Sequence, residues 1–370
     1  MRITAINATK GFTPIAFQAK IFDGHAHLGK VGNKNYGLSD LDKFVKQNLN
    51  IKINEQQTVD TIEKIAVSSG FVLTGEMNEL AGNEKLLEMI KGRSEYVPIA
   101  VCQPNKTNGD ISNIKELFKK HPEFSGLKFH PKFLPMANEA DYMKAYEPYM
   151  EFAKKNNLAC LFHCEGGQAS PEKIYELAKK TPKVPVILGH SGAIENGSRV
   201  HREKVFEIFE NSLKNKDANI HLDLSWVDWT TDGYPQRNQV DTTKILKIAE
   251  KYNATDKIIF GSDAPLGCFG EWENSGFNNK KCYEEAVGSF KQTIKFVFGD
   301  KSEKVTNQIF YDNADRLFCK RSAQKPTNPW LKRGGIAAAV VAVVFGVYEA
   351  VKHTQNNDKN PNKKIKAKIK

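Results

Sequence analysis

Eight short apolar runs, each followed by an amphipathic or polar stretch, set the tightest limit on how this chain folds. They occupy 19–25, 62–68, 96–102, 125–130, 158–163, 184–190, 219–225 and 257–262. Most are apolar throughout, as strands buried on both faces of a parallel sheet must be. Eight such strands alternating with helices predict an α/β fold of the (β/α)8 TIM-barrel type. The 370 residues suffice for one barrel of roughly 250 residues with extensions.

The helical stretches have readable signals. In 141–156, Tyr142, Ala145, Tyr149, Phe152 and Ala153 share a stripe, and Pro148 inside it is predicted to kink or split the helix. Ser170-Pro171 reads as an N-cap and first helical residue, with Ile174, Leu177 and Ala178 facing inward. Stretches 240–252 and 280–298 behave similarly. The segment 305–318 reads as a closing helix that packs Ile309, Phe310, Leu317 and Phe318.

A formal net charge of +11 would suggest a nucleic-acid or anionic partner. The charge sits in one place, however. Residues 321–370 hold 11 Lys and Arg against Glu349 and Asp358, a net of +9, which leaves +2 for the first 320 residues. Nucleic acid is therefore excluded as the main substrate. The six cysteines form no CxxC pair and read as free thiols in a reducing compartment. Asn7, Thr9, Thr13 and Gln18 interrupt any apolar run at the start, so no signal peptide is read and a cytoplasmic location is expected.

The expected organisation is an N-terminal extension (1–18), the barrel (19–320), a linker with Pro326 and Pro329 (321–333), an apolar segment (334–351) and a disordered Lys-rich tail (352–370). The 15 residues 334–348 are uncharged and rich in Ala and Val. A membrane span needs about 20. The expectation is association with an anionic membrane surface. A short tail anchor and a helix docked on a partner are the alternatives, and a homo-oligomer is left open.

The ends of the strands carry the chemistry. His25 and His27 lie at i and i+2 on the first strand, so they share a face and can reach one cation. The fifth strand ends at His163, the sixth at His190 and the eighth at Asp263. Taken singly, each fits a core-edge histidine or an N-cap aspartate. Together they bring four imidazoles and a carboxylate to the C-terminal mouth, where barrel enzymes do chemistry. Lys128 and His130, also i and i+2, can face the same mouth from the fourth strand; the alternative for Lys128 is a charge paired with Glu165. Cys164 should point away from the site as a packed thiol. His121, His221 and His353 show no partner pattern. Arg199, Trp226 and Arg237, with Trp229, His201 and Trp272, fall in or near the loops after strands six to eight, where substrate is selected. Either arginine could hold a substrate carboxylate bidentately, against the alternative of a solvated loop charge.

The motifs FDGHAHLG (22–29), GLKFHP (126–131), LFHCEG (161–166), ILGHSG (187–192), IHLDLSW (220–226), FGSDAP (260–265) and NADRLF (313–318) occur in this order. With them the chain resembles the amidohydrolase superfamily, most closely the amidohydrolase-related branch that includes aminocarboxymuconate semialdehyde decarboxylase. The resemblance implies one divalent cation, most often zinc, with manganese or iron as alternatives, held by His25, His27, His163 and Asp263. It makes His190 a supporting or transition-state group. Two-metal members of the superfamily carry a carbamylated lysine on the fourth strand, which would place Lys128, His163 and His190 around a second ion; one ion is favoured here. Such a cation lowers the pKa of water to about 7. Asp263 would take a proton from that water and return it to the leaving group, while His190 would steer the substrate oxygen or stabilise charge on it. The expected activity is hydrolysis of an ester, lactone or amide bond in a small molecule. A metal-dependent carbon–carbon lyase, decarboxylase or hydratase, is the alternative, and a non-catalytic membrane-associated scaffold the third reading.

Overall fold

The structure, a computed structural model, describes residues 18–31, 34–42, 45–53, 56–131, 141–192, 200–225, 227, 239–264 and 279–319. Within them lie ten strands: β1 (Lys20–Val31), β2 (Lys34–Tyr36), β3 (Asn48–Ile53), β4 (Gln56–Ser69), β5 (Tyr96–Val101), β6 (Gly126–Phe129), β7 (Ala159–Phe162), β8 (Pro185–Leu188), β9 (Asn219–Asp223) and β10 (Ile258–Ile259). All eight apolar runs of the sequence contain or overlap one of them. From β1 and β4 through to β10 each strand pairs in parallel with the next. The ring closes where Gly24 N donates to Phe260 O at 2.9 Å, Asp263 N to His25 O at 2.8 Å and His27 N to Ala264 O at 2.6 Å. The result is a parallel eight-stranded α/β barrel of the TIM type.

The first crossover departs from the repeating plan. In place of a long helix it holds β2, antiparallel to β1, the short helix Leu38–Asp42, and β3, antiparallel to β4. β3 buries every second residue (Leu49, Ile51, Ile53), the pattern of a strand with one face in the core. Most later strands are followed by helices at the expected places, among them Tyr142–Lys155, Pro171–Lys180 and Val240–Lys251. Ser170 caps its helix by accepting from Lys173 N at 3.4 Å, with Pro171 in the first turn. Tyr142–Lys155 is not split at Pro148 but runs through it as one helix. Of its stripe, Tyr142, Ala145, Tyr149 and Ala153 are buried and Phe152 partly so, and that burial outweighs one missing ladder bond.

Two apolar layers hold the barrel. Leu127, Phe129, Cys160, Phe162 and Leu222 pack outward with helix residues such as Tyr146 and Tyr149. Phe22, Ile99, Leu161, Ile187 and Ile259 pack together with Leu317 and Phe318 of the closing helical run. That run consists of Ser302–Asn307, a π-helical turn Gln308–Asp312, and Asn313–Phe318. A π turn frees carbonyls from the helical ladder. Ile309 O accepts instead from Phe260 N at 3.1 Å, and Asn313 Nδ2 donates to Ile258 O at 2.7 Å, so the run grips the last barrel strand.

The cysteines Cys102, Cys160, Cys164 and Cys319 are free. Among the described residues no helix is long and apolar enough to cross a membrane. The apolar segment 334–351, the linker and the Lys-rich tail lie outside the described residues.

Candidate active site

Strand alternation decides which side chains reach the barrel mouth. In β6, Leu127 and Phe129 pack outward, which turns Lys128 and His130 inward. In β7, Leu161 faces inward, so His163 does too, and Cys164 is buried in the outer layer as expected. β1 breaks the alternation. Phe22 belongs to the inner layer and His25, an odd number of residues on, also reaches the mouth; the register shift against β4 between Asp23 and Ala26 absorbs the difference.

The predicted residues meet in one buried cluster. Asp263 Oδ1 lies 3.0 Å from His27 Nε2 and 3.3 Å from His25 Nε2. His25 Nε2 also lies 2.7 Å from Lys128 Nζ. His163 Nδ1 is 3.0 Å from His190 Nε2, and its Nε2 is 3.0 Å from Glu165 Oε2. His130 stacks on His163 with ring centroids 3.9 Å apart. The expected alternative of a Lys128–Glu165 pair is thus corrected: Lys128 sits against His25, and Glu165 takes His163. His121 lies at the surface beside Glu84 and Glu123, and His221 is buried with Nε2 3.1 Å from Asn219 Oδ1. His201 belongs to the helix Val200–Asn215. Arg199, Trp226 and Arg237, together with Trp229, Trp272 and His353, lie outside the described residues.

Among the described residues, the ligand atoms of His25, His190 and Asp263 fall within 4.8 Å of one another. His27 and His163 adjoin this trio through Asp263 and His190. The donors fit a divalent cation chemically. Burial pushes His25, His130 and His190 well below the usual imidazole range, and His27 and His163 below it, which disfavours the charged ring. Neutral imidazole is the form that binds zinc, manganese or iron. Burial works to raise Asp263, but His25, His27 and Lys128 hold it below the ordinary carboxylate range and it stays ionised. Burial lowers Lys128 to about 8.

Three supporting groups were not foreseen. Asp223 Oδ2 lies 2.6 Å from His25 Nδ1, the carboxylate–imidazole contact that orients metal-binding histidines. Ser225 Oγ lies 2.7 Å from the same Oδ2 and 2.9 Å from His190 Nδ1. Ser68 Oγ lies 2.7 Å from His27 Nδ1. Asp223 and Ser225 are i and i+2 within IHLDLSW, the same spacing that singled out His25 and His27.

The backbone carries strain at the site. His190, Ser191 and Gly192 have φ of 61°, 43° and 76°, and Asp263 has 56°. Such conformations cost about 1–3 kcal/mol each for residues other than glycine. Ser191 Oγ donates to Asp223 O at 2.7 Å, and buried Arg202 donates from Nε to Gly192 O at 2.6 Å while pairing with Asp241 at 3.0 Å. Gly261 shows how closely the strands approach. A Cβ there would stand 2.5 Å from Asp223 Oδ1 and 2.9 Å from His25 Cβ. Gly261→Ala is expected to lower stability by about 1–3 kcal/mol. By displacing Asp223 it should also weaken cation affinity about 10–100-fold. Thermal melts and cation titration of the purified variant check both.

A family model described as Amidohydrolase matches residues 78–319, and the chain belongs to that family. It is a metal-dependent enzyme of the amidohydrolase superfamily. No curated protein matches it. Among solved structures, an amidohydrolase from Burkholderia multivorans with bound HEPES superposes with a TM-score of 0.52 at 10% identity, over 81% of this chain and 99% of that one. A probable 2-pyrone-4,6-dicarboxylic acid hydrolase from Acinetobacter baumannii gives 0.48 at 16% identity, over 80% and 98%. The 2,6-dihydroxybenzoate decarboxylase from Rhizobium gives 0.47 at 13% identity, over 82% and 99%.

Proposed function

We propose that the enzyme hydrolyses an ester, lactone or amide bond in a small molecule, using one divalent cation, zinc by preference, held by His25, His27, His163 and Asp263. The observation that carries this reading is the placement of the Asp263 carboxylate between His25 and His27, with His190 close by, at the C-terminal mouth. When bound, the cation supplies Lewis acidity and lowers the pKa of a water to about 7. The chain's own groups do the rest. Asp263 accepts a proton from water and returns it to the leaving group. His190 acts on the reacting oxygen of the substrate as charge develops there. His25, His190 and Asp263 are buried, which strengthens the charge interactions among them. A second reading has a specific support: the closeness of His25, His190 and Asp263 favours His190 itself as a ligand.

The deciding experiment is a screen of lactones, amides and aromatic carboxylic acids with zinc-loaded protein, scored separately for hydrolysis and for carbon dioxide release. Hydrolysis of one class with no carbon dioxide is expected. Carbon dioxide release without hydrolysis would replace the hydrolase with a lyase on the same site.

A further inference from the structure

Asp223, Ser225, His25 and His190 form a chain of contacts in which the protons can be counted. An ionised carboxylate, the form in which the count holds, only accepts hydrogen bonds, and a serine hydroxyl has one proton to give. Asp223 Oδ1 accepts from Ser225 N at 2.8 Å. Asp223 Oδ2 receives His25 Nδ1 at 2.6 Å, Ser225 Oγ at 2.7 Å and, more distantly, His190 N at 3.5 Å, while Ser225 Oγ also lies 3.4 Å from His25 Nδ1. The His25 contact therefore uses an Nδ1–H, and the Ser225 contact uses the hydroxyl proton. With that proton spent, Ser225 Oγ meets His190 Nδ1 at 2.9 Å only as an acceptor, so Nδ1 of His190 carries hydrogen. All four side chains are buried, so no bulk water competes.

We infer that Ser225 is a positioning residue that extends the single carboxylate of Asp223 to a second imidazole and fixes His190 as its Nδ1–H tautomer. The Nε2 of His190 then carries the lone pair, which faces His163 Nδ1 at 3.0 Å. His25 is set the same way, with its Nε2 toward Asp263 and Lys128. The consequence for chemistry is an order of events. His190 must first accept a proton at Nε2 before it has one to donate to a substrate oxygen, and a cation held there would leave it none. A proton arriving at Nε2 makes an imidazolium whose Nδ1–H still rests on Ser225. The left-handed turn at His190 and Ser191 supports the same alignment, since Ser191 Oγ is tied to Asp223 O.

This inference rests on reading the mouth as a cation site, and its test separates the two. Full-length protein carrying 15N-labelled histidine is compared by long-range proton–nitrogen NMR after chelation and after reloading with zinc. His190→Asn identifies the His190 signals. The wild type should show the Nδ1–H form of His190 in both states. Ser225→Ala should lose that preference after chelation and lower kcat about 10–100-fold with little change in KM. Ser225→Thr, which keeps the hydroxyl, should restore both. An Nε2–H form in chelated wild type overturns the inference without any variant, so a Ser225→Ala chain that failed to fold would not protect it. A tautomer unchanged in Ser225→Ala also overturns it. Zinc content measured on the same samples reports on the cation site independently: wild type that takes up no zinc sinks the proposed function while the tautomer is still read.

Discussion

A chain ending at residue 304 is expected not to fold, whereas one ending at residue 320 keeps a folded, cation-binding barrel. The shorter chain loses Ile309, Phe310, Leu317 and Phe318, all at most 1% exposed. At about 1.5–3 kcal/mol each, their burial amounts to about 6–12 kcal/mol, comparable with a typical net stability of about 5–15 kcal/mol. The cut also removes the polar grip on the last strand, where Phe260 N and Ile258 O find their partners in Ile309 and Asn313. Circular dichroism melts and gel filtration of the two chains check this. A cooperative transition in the 304-residue chain would show that the closing run is dispensable.

The second large effect separates holding the cation from using it. Purified wild type should carry about one equivalent of a transition metal, and His163→Ala and Asp263→Asn should lose most of it. Both Asp263 and His190 have positive φ, and asparagine tolerates that region better than most residues. Asparagine at either position therefore changes the functional group with little backbone penalty. His190→Asn should retain the cation while kcat falls on the order of 10²–10³. Elemental analysis beside initial rates reads both quantities. Cation lost together with turnover in His190→Asn would make His190 a ligand, as its closeness to His25 and Asp263 allows. Two equivalents in wild type would bring Lys128 and a second ion into play.

Much of this was legible because barrel strands buried on both faces must be apolar and then end in polar residues. His25, His27, Lys128, His130, His163, His190 and Asp263 all stand at such ends, and the structure gathers them. What escaped the sequence has physical reasons. The extra strand β3 alternates Leu49, Ile51 and Ile53 with polar residues, a signal of half-burial that a search for continuous apolar runs passes over. Asp223 and Ser225 obeyed the i, i+2 rule, yet a carboxylate and a hydroxyl announce a supporting role only once their imidazole partners, 198 and 35 residues away in the chain, are beside them. The register shift in β1 and the positive φ at His190 and Asp263 depend on tertiary context, which no local propensity encodes. Pro148 shows the converse: a strong local breaker overruled by burial of the helix around it.

The seam of the barrel runs through the site, and this has a consequence for how the molecule is made. His27 and Asp263 are 236 residues apart in the chain, yet they touch where the first strand meets the segment after the last. At about 5–20 residues per second of synthesis, His25 and His27 are made roughly 12–50 s before the carboxylate of Asp263 exists. Until then the open edge of β1 waits for its neighbour, and an exposed edge invites pairing with other chains. The hairpin with β2, which pairs Gly29–Val31, shields the upper end of that edge from the outset. Asp23 then receives Ser262 N at 2.9 Å and Ser262 Oγ at 2.5 Å when the last strand arrives, so the seam locks just beneath the histidines. Until Asp263 has been made, the nascent chain cannot assemble the complete cluster, and the site waits for the two distant ends to join.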